Sequence, residues 1–97
     1  MGWQELGQRR ALAHELECFA FIACARSQAQ RAARLFGAVE GLRQSGNLAM
    51  RDLERLEYDQ AVSALRGQLD QAAFATAWAV GRALTMDQAI AYALETN

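Results

Sequence analysis

No proline interrupts the 97 residues, and alanine occupies 21 of them. Proline costs about 3 kcal/mol inside a helix, and alanine has the best helix propensity of any residue. A chain written this way is committed to helices, so the expected fold class is all-α. Length sets the scale of the core. A chain of this size forms one small domain, or a fragment of a longer array, and buries roughly 65% of its unfolded surface.

Hydrophobic periodicity and breaker residues divide the chain into five helices. Trp3 to Leu6 reads as the last turn of a preceding helix, closed by Gly7 as a left-handed cap. A first full helix is expected at about 8–26, with Leu12, Leu16, Phe19 and Ala23 on one face and Ile22 beside them. Ser27 and Gln28 make a tight turn. The second helix, about 29–44, carries Ala32, Leu35, Phe36, Val39 and Leu42. Gly37 and Gly41 lie four apart on it, a spacing that suits a closely packed neighbour. Ser45, Gly46 and Asn47 mark the main loop. A third helix follows at about 51–66, with Leu53, Leu56, Ala61, Val62 and Leu65 apolar and Tyr58 partly towards solvent. The fourth, about 70–83, sets Phe74 and Trp78 one turn apart. Thr85 and Gln88 have the spacing of a capping box and open helix five, about 86–95. Short connections make sequential neighbours antiparallel.

Within the first two helices one spacing stands out. Leu16-x2-Phe19-Ala20-x2-Ala23 is followed by Ala32-x3-Phe36, so a small residue lets the helices approach and an aromatic fills the groove beside it. This arrangement resembles a tetratricopeptide hairpin, a stacked scaffold unit with no chemistry of its own. Residues 8–45 are therefore expected to form the hairpin, residues 51–97 a three-helix C-terminal cap, and residues 1–7 the tail of a preceding repeat helix.

Charge and motifs bound the function. The net charge is −1, and all ten basic residues are arginine. Such a balance provides no general field for nucleic acid or an acidic membrane. Neither a transmembrane-length apolar run nor a recognisable signal peptide is present, so a cytoplasmic location is expected. Cys18 and Cys24 lie six apart on one helix, on different faces and about 9 Å apart along its axis. They cannot pair, and two buried thiols are expected. His14 has Cys18 at i+4 but no further ligand at a metal-binding spacing, which favours a partly exposed helical histidine. Glu15 and Glu17 fall on different faces and make no catalytic pair. Arg51, Glu54, Arg55, Glu57 and Asp59 read as a solvated face. Arg26, Arg31 and Arg34 cluster at the hairpin turn, where solubility and intramolecular pairing are favoured over phosphate contact. No phosphate-binding loop, nucleophile elbow or zinc spacing occurs. A helix-turn-helix reading of helices two and three fails on the long 45–50 connection and the lack of an arginine cluster opening helix three. No catalytic, cofactor or metal residues are assigned.

Further runs carry a second resemblance. Arg31-Ala32-Ala33-Arg34-Leu35-Phe36-Gly37-Ala38, Glu57-Tyr58-Asp59, Ala77-Trp78-Ala79-Val80-Gly81-Arg82-Ala83-Leu84 and Gln88-Ala89-Ile90-Ala91-Tyr92-Ala93-Leu94 resemble the C-terminal tetratricopeptide region of large bacterial LuxR-type regulators with a nucleotide-binding module. Ser27 and Ala29 stand where such proteins often have glycine and proline. The resemblance implies a non-catalytic scaffold for protein interaction, with small-molecule sensing as the alternative and direct nucleic-acid binding disfavoured.

Three structural expectations follow. Phe36 should lie against Leu16, Phe19 or Ala20. Trp3, Leu6 and the outer face of helix one should mediate a homodimer, with Arg31 and Arg34 as further candidate surface. Helix five should cover Trp78, turning Ile90, Ala93 and Leu94 inward.

Overall fold

A computed structural model describes residues 3–46 and 52–95, with side-chain environments for 10–44 and 53–94. The described chain is all-α, with five helices: α1 Trp3–Ala25, α2 Ala29–Gly46, α3 Asp52–Gln68, α4 Gln71–Arg82 and α5 Met86–Glu95. None is long and apolar enough to cross a membrane.

Two boundaries differ from the sequence reading. α1 starts at Trp3 and passes through Gly7 without a break. A glycine caps a helix only by turning left-handed, and no described glycine has positive φ. The N-terminal tail and the first full helix are thus one element. At the far end of α2, Ser45 and Gly46 are still helical, so breaker composition ends the helix two residues too soon.

The turn between α1 and α2 is a Schellman motif. The Gln28 amide donates to Ala23 O at 2.9 Å, and the Ser27 amide donates to Cys24 O at 3.1 Å. The residue between, Ser27, sits at φ 60°, where glycine is ordinarily preferred. The two helices run antiparallel: Phe21 meets Phe36, and Glu17 meets Arg43. Phe36 is fully buried, as are Ala20 and Ala32, and Leu16 and Ala23 are nearly so. The aromatic expected in the groove is there. Its ring partners are Phe21, edge-on at 5.3 Å, and Tyr58, edge-on at 5.4 Å, while Phe19 is half-buried against the core, facing Ile90 and Leu94 of the last helix.

α2 is the centre of the molecule, with every other helix against it. Its second close partner is α4, and the seam between them is built from glycine. A β-carbon on Gly37 would come within 2.5 Å of Trp78 O, and one on Gly41 within 3.1 Å of Arg82 O. From the other side, a β-carbon on Gly81 would overlap the Arg34 carbonyl oxygen. The spacing of Gly37 and Gly41 thus marks a backbone-to-backbone helix crossing, and Gly81 completes it.

α3 lies on the hairpin through Tyr58 and Leu65, both buried. Tyr58 is 3% exposed, not turned towards solvent, whereas Leu53 and Leu56, expected in the apolar stripe, are 67% and 54% exposed. The first turns of α3 stand away from the core. Asp70 caps α4, accepting from the Ala73 amide at 2.7 Å. Thr85 forms the anticipated capping box: the Gln88 amide donates to Thr85 Oγ1 at 3.1 Å, and the Thr85 amide donates to Gln88 Oε1 at 2.9 Å.

α5 packs on α1 and α2 through Ala89 and Ala93. The expectation that it covers Trp78 is not met, and Leu94 is 61% exposed instead of inward-facing. Arginine on α2 determines this placement. Arg31 donates to Ala93 O at 2.8 Å and Tyr92 O at 3.4 Å, and its guanidinium lies over the Tyr92 ring at 5.0 Å. Arg31 thereby closes the carbonyl end of α5, where a cation is favoured by the helix dipole.

Candidate functional site

Three groups of side chains compete for a functional role. The first is the arginine pair expected at the surface. Arg31 is occupied by α5. The Arg34 guanidinium also faces Tyr92, with Nη1 3.5 Å from its hydroxyl. Both are half-buried structural groups, and Arg26 remains the exposed member of the cluster. The side chains of Trp3 and Leu6 lie outside the described residues.

A second group is a polar strip along α2. Glu17 and Arg43 form a buried ion pair at 3.1 Å, with side chains 8% and 7% exposed. The Arg43 Nε is shut off from solvent and has no partner among the described residues. One turn away, Tyr58 donates from its hydroxyl to Glu40 Oε2 at 3.0 Å, with Phe36 O 3.4 Å away. Gln44 donates to Glu40 Oε1 at 3.1 Å and accepts from Arg82. Burial pushes the Tyr58 hydroxyl pKa far above the ordinary tyrosine value, and the Glu40 carboxylate beside it pushes further in the same direction. Tyr58 is therefore a fixed donor. The strip ties α1, α3 and α4 to α2, and its carboxylates are occupied by these ties. Sequence reasoning does not find Glu17 in the core, although its position carries a signal: it lies four after Ala13 and three before Ala20, on the buried stripe.

The third group borders open space. Arg66 on α3 and Gln71, Phe74, Ala75 and Trp78 on α4 line a groove of about 430 Å³. Phe74 and Trp78 stack at 5.5 Å with an interplanar angle of 22°, as their one-turn spacing suggests. Tyr58 braces Trp78 edge-on at 6.5 Å. The Arg66 guanidinium lies 4.9 Å over the Phe74 ring, and no hydrogen bond or ion pair involves it among the described residues. A cation parked on an aromatic face keeps its N–H edge free for an incoming acceptor. Of the three groups, this one can receive a ligand: a flat apolar floor, a half-buried tryptophan and an unengaged arginine. The groove is not legible as a site in the sequence, because Arg66 and Trp78 belong to different helices with a turn between them.

The cysteines correct another expectation. Cys18 is exposed and Cys24 half-buried. Burial raises the Cys24 pKa above its ordinary value, which keeps that thiol protonated and weakly nucleophilic. His14 is exposed, as anticipated, with Nε2 3.9 Å from Cys18 Sγ. Among the described residues no three metal-binding side chains come together.

No protein-family model, curated protein or solved structure matches this chain. The class that fold and site define is a five-helix all-α module with an open aromatic groove.

Proposed function

We propose that the chain is a non-catalytic helical scaffold that binds a partner protein in the α3/α4 groove. The carrying observation is Arg66, held over Phe74 beside the half-buried Trp78 with its guanidinium edge unengaged. This chemistry suits a peptide segment with an acidic residue next to a large apolar one. The carboxylate meets Arg66, and the apolar side chain lies on the Phe74–Trp78 floor. The resemblance to the C-terminal region of large bacterial regulators supports the same role, a cytoplasmic regulatory module read out by protein contact. Arg31 and Arg34 serve α5, which disfavours nucleic acid as the partner.

A second reading is a small-molecule effector in the same groove. Its volume of about 430 Å³ falls within the ~300–1,000 Å³ typical of ligand pockets. Selection of a random peptide library against the chain distinguishes the two. Binders rich in acidic and large apolar residues, lost on Arg66→Ala or Trp78→Ala, support the peptide reading. Binders indifferent to both substitutions reject the groove.

A further inference from the structure

The floor of the α3/α4 groove is uneven in what it offers. Phe74 is buried, and the Arg66 guanidinium already lies over its ring. Trp78 is half-buried, so its ring is the aromatic surface left for an incoming side chain. The position of that one ring decides how well an apolar group seats beside Arg66. On the protein side the ring meets Phe74, stacked at 5.5 Å, and Tyr58, edge-on at 6.5 Å. Towards the groove it is open.

We propose that Glu40 on α2, which does not line the groove, is the positioning residue of this binding site, holding Trp78 through Tyr58 and through Arg82. The inference rests on the groove being where the partner binds. The two carboxylate oxygens act from two directions. Oε2 accepts from the Tyr58 hydroxyl at 3.0 Å, which fixes the ring that braces Trp78. Oε1 accepts from the Gln44 side-chain amide at 3.1 Å, and Gln44 in turn accepts from Arg82. Arg82 follows Trp78 by one turn of α4, so the second tie resists rotation of α4 about its axis. Such a rotation would swing Trp78 across the groove. The backbone of α4 lies directly on α2 here, since a β-carbon on Gly37 would come within 2.5 Å of Trp78 O. Ring and backbone of Trp78 are thus both referred to α2. A carboxylate suits the position because it accepts at both oxygens, whereas a glutamine accepts at one and donates at the other.

The test reads Trp78 directly. Trp3 is the other tryptophan of the chain, so Trp3→Phe leaves a single indole N–H to follow by nitrogen–proton NMR correlation. In that background Glu40→Gln and Tyr58→Phe, both close in shape to the residues they replace, should keep the helical circular dichroism. Both should shift or broaden the Trp78 indole peak. Ala89→Gly, which weakens α5 away from the groove, should leave the peak in place. Acetyl-Glu-Trp amide, an acid beside a large flat ring, then serves as the binding probe. Its affinity should fall about tenfold in Glu40→Gln and in Tyr58→Phe, the worth of about one hydrogen bond. In Ala89→Gly it should not change. Either an unmoved indole peak or an unchanged probe affinity in Glu40→Gln overturns the proposal. So do equal effects in Ala89→Gly, which would make the cause general stability. A probe that fails to bind even the Trp3→Phe protein rejects the acid-and-ring reading of the groove, and the indole peak alone then decides whether Glu40 holds Trp78.

Discussion

Buried polar residues on α2 and its neighbours make the fold specific, and each has a measurable signature. Tyr58 holds its proton more tightly in the folded chain than in the unfolded one, because burial and Glu40 both disfavour the phenolate. A pKa raised by folding contributes stability that is complete below the unfolded value, near pH 10. That contribution drains away as pH rises above it, by about 1.4 kcal/mol per pH unit for one proton. Urea melts at pH 9, 10 and 11 should show this alkaline loss, and Tyr58→Phe should flatten it. An identical slope in the variant would remove Tyr58 as its source. The Glu17–Arg43 pair behaves differently, since a lone buried charge is worse than none. Glu17→Ala should cost about 3–5 kcal/mol, while the double change Glu17→Leu with Arg43→Met should recover most of it. If the double variant is no more stable than the single one, the cost lies in packing and not in charge. Neither residue is legible from composition: a glutamate and an arginine 26 positions apart look like surface until the hairpin closes.

At the scale of elements, much of the architecture is readable from the sequence. The Ala32 and Phe36 spacing, the Thr85–Gln88 box and the Gly37–Gly41 pair are local patterns whose physics acts within one or two turns: Ala32 and Phe36 are buried, though with Phe21 and Tyr58 as the ring partners, the box forms, and the glycines mark a close crossing. What fails is longer in range. Closeness in sequence pairs α5 with Trp78, but Arg31 and the apolar face of α1 and α2 hold it elsewhere. Leu53 and Leu56 follow a helical stripe as well as any core residue, and periodicity alone cannot say how far along its length α3 stays in contact. The glycines give this scale its test. A β-carbon added at Gly67 would meet nothing within 4 Å, whereas one at Gly37 would face the Trp78 carbonyl. Gly67→Ala should stabilise by up to about 1 kcal/mol from helix propensity. Gly37→Ala gains the same propensity and should still lose about 1–3 kcal/mol net, because the α2/α4 seam must open. Thermal melts showing both variants stabilised would mean that the helices do not cross at Gly37.

For the molecule as a whole, the arrangement is radial: four helices around α2, not a stack in chain order. Protection should follow that arrangement. In native-state hydrogen exchange, α2 amides should open only with global unfolding, and the first turns of α3, where Leu53 and Leu56 face solvent, should exchange by local fraying. Equal protection across α2 and the start of α3 would contradict a central α2. The glycine seam has a further consequence for a chain made from one end. α1 and α2 can pair as soon as they leave the ribosome, but α4 is synthesised only after all of α3. During that interval the side of α2 that awaits α4 is bare. A seam of leucine or phenylalanine would then offer the nascent hairpin's neighbours a sticky surface. Gly37 and Gly41 offer backbone and almost no apolar area, so a half-made molecule can wait for its fourth helix with little to aggregate through.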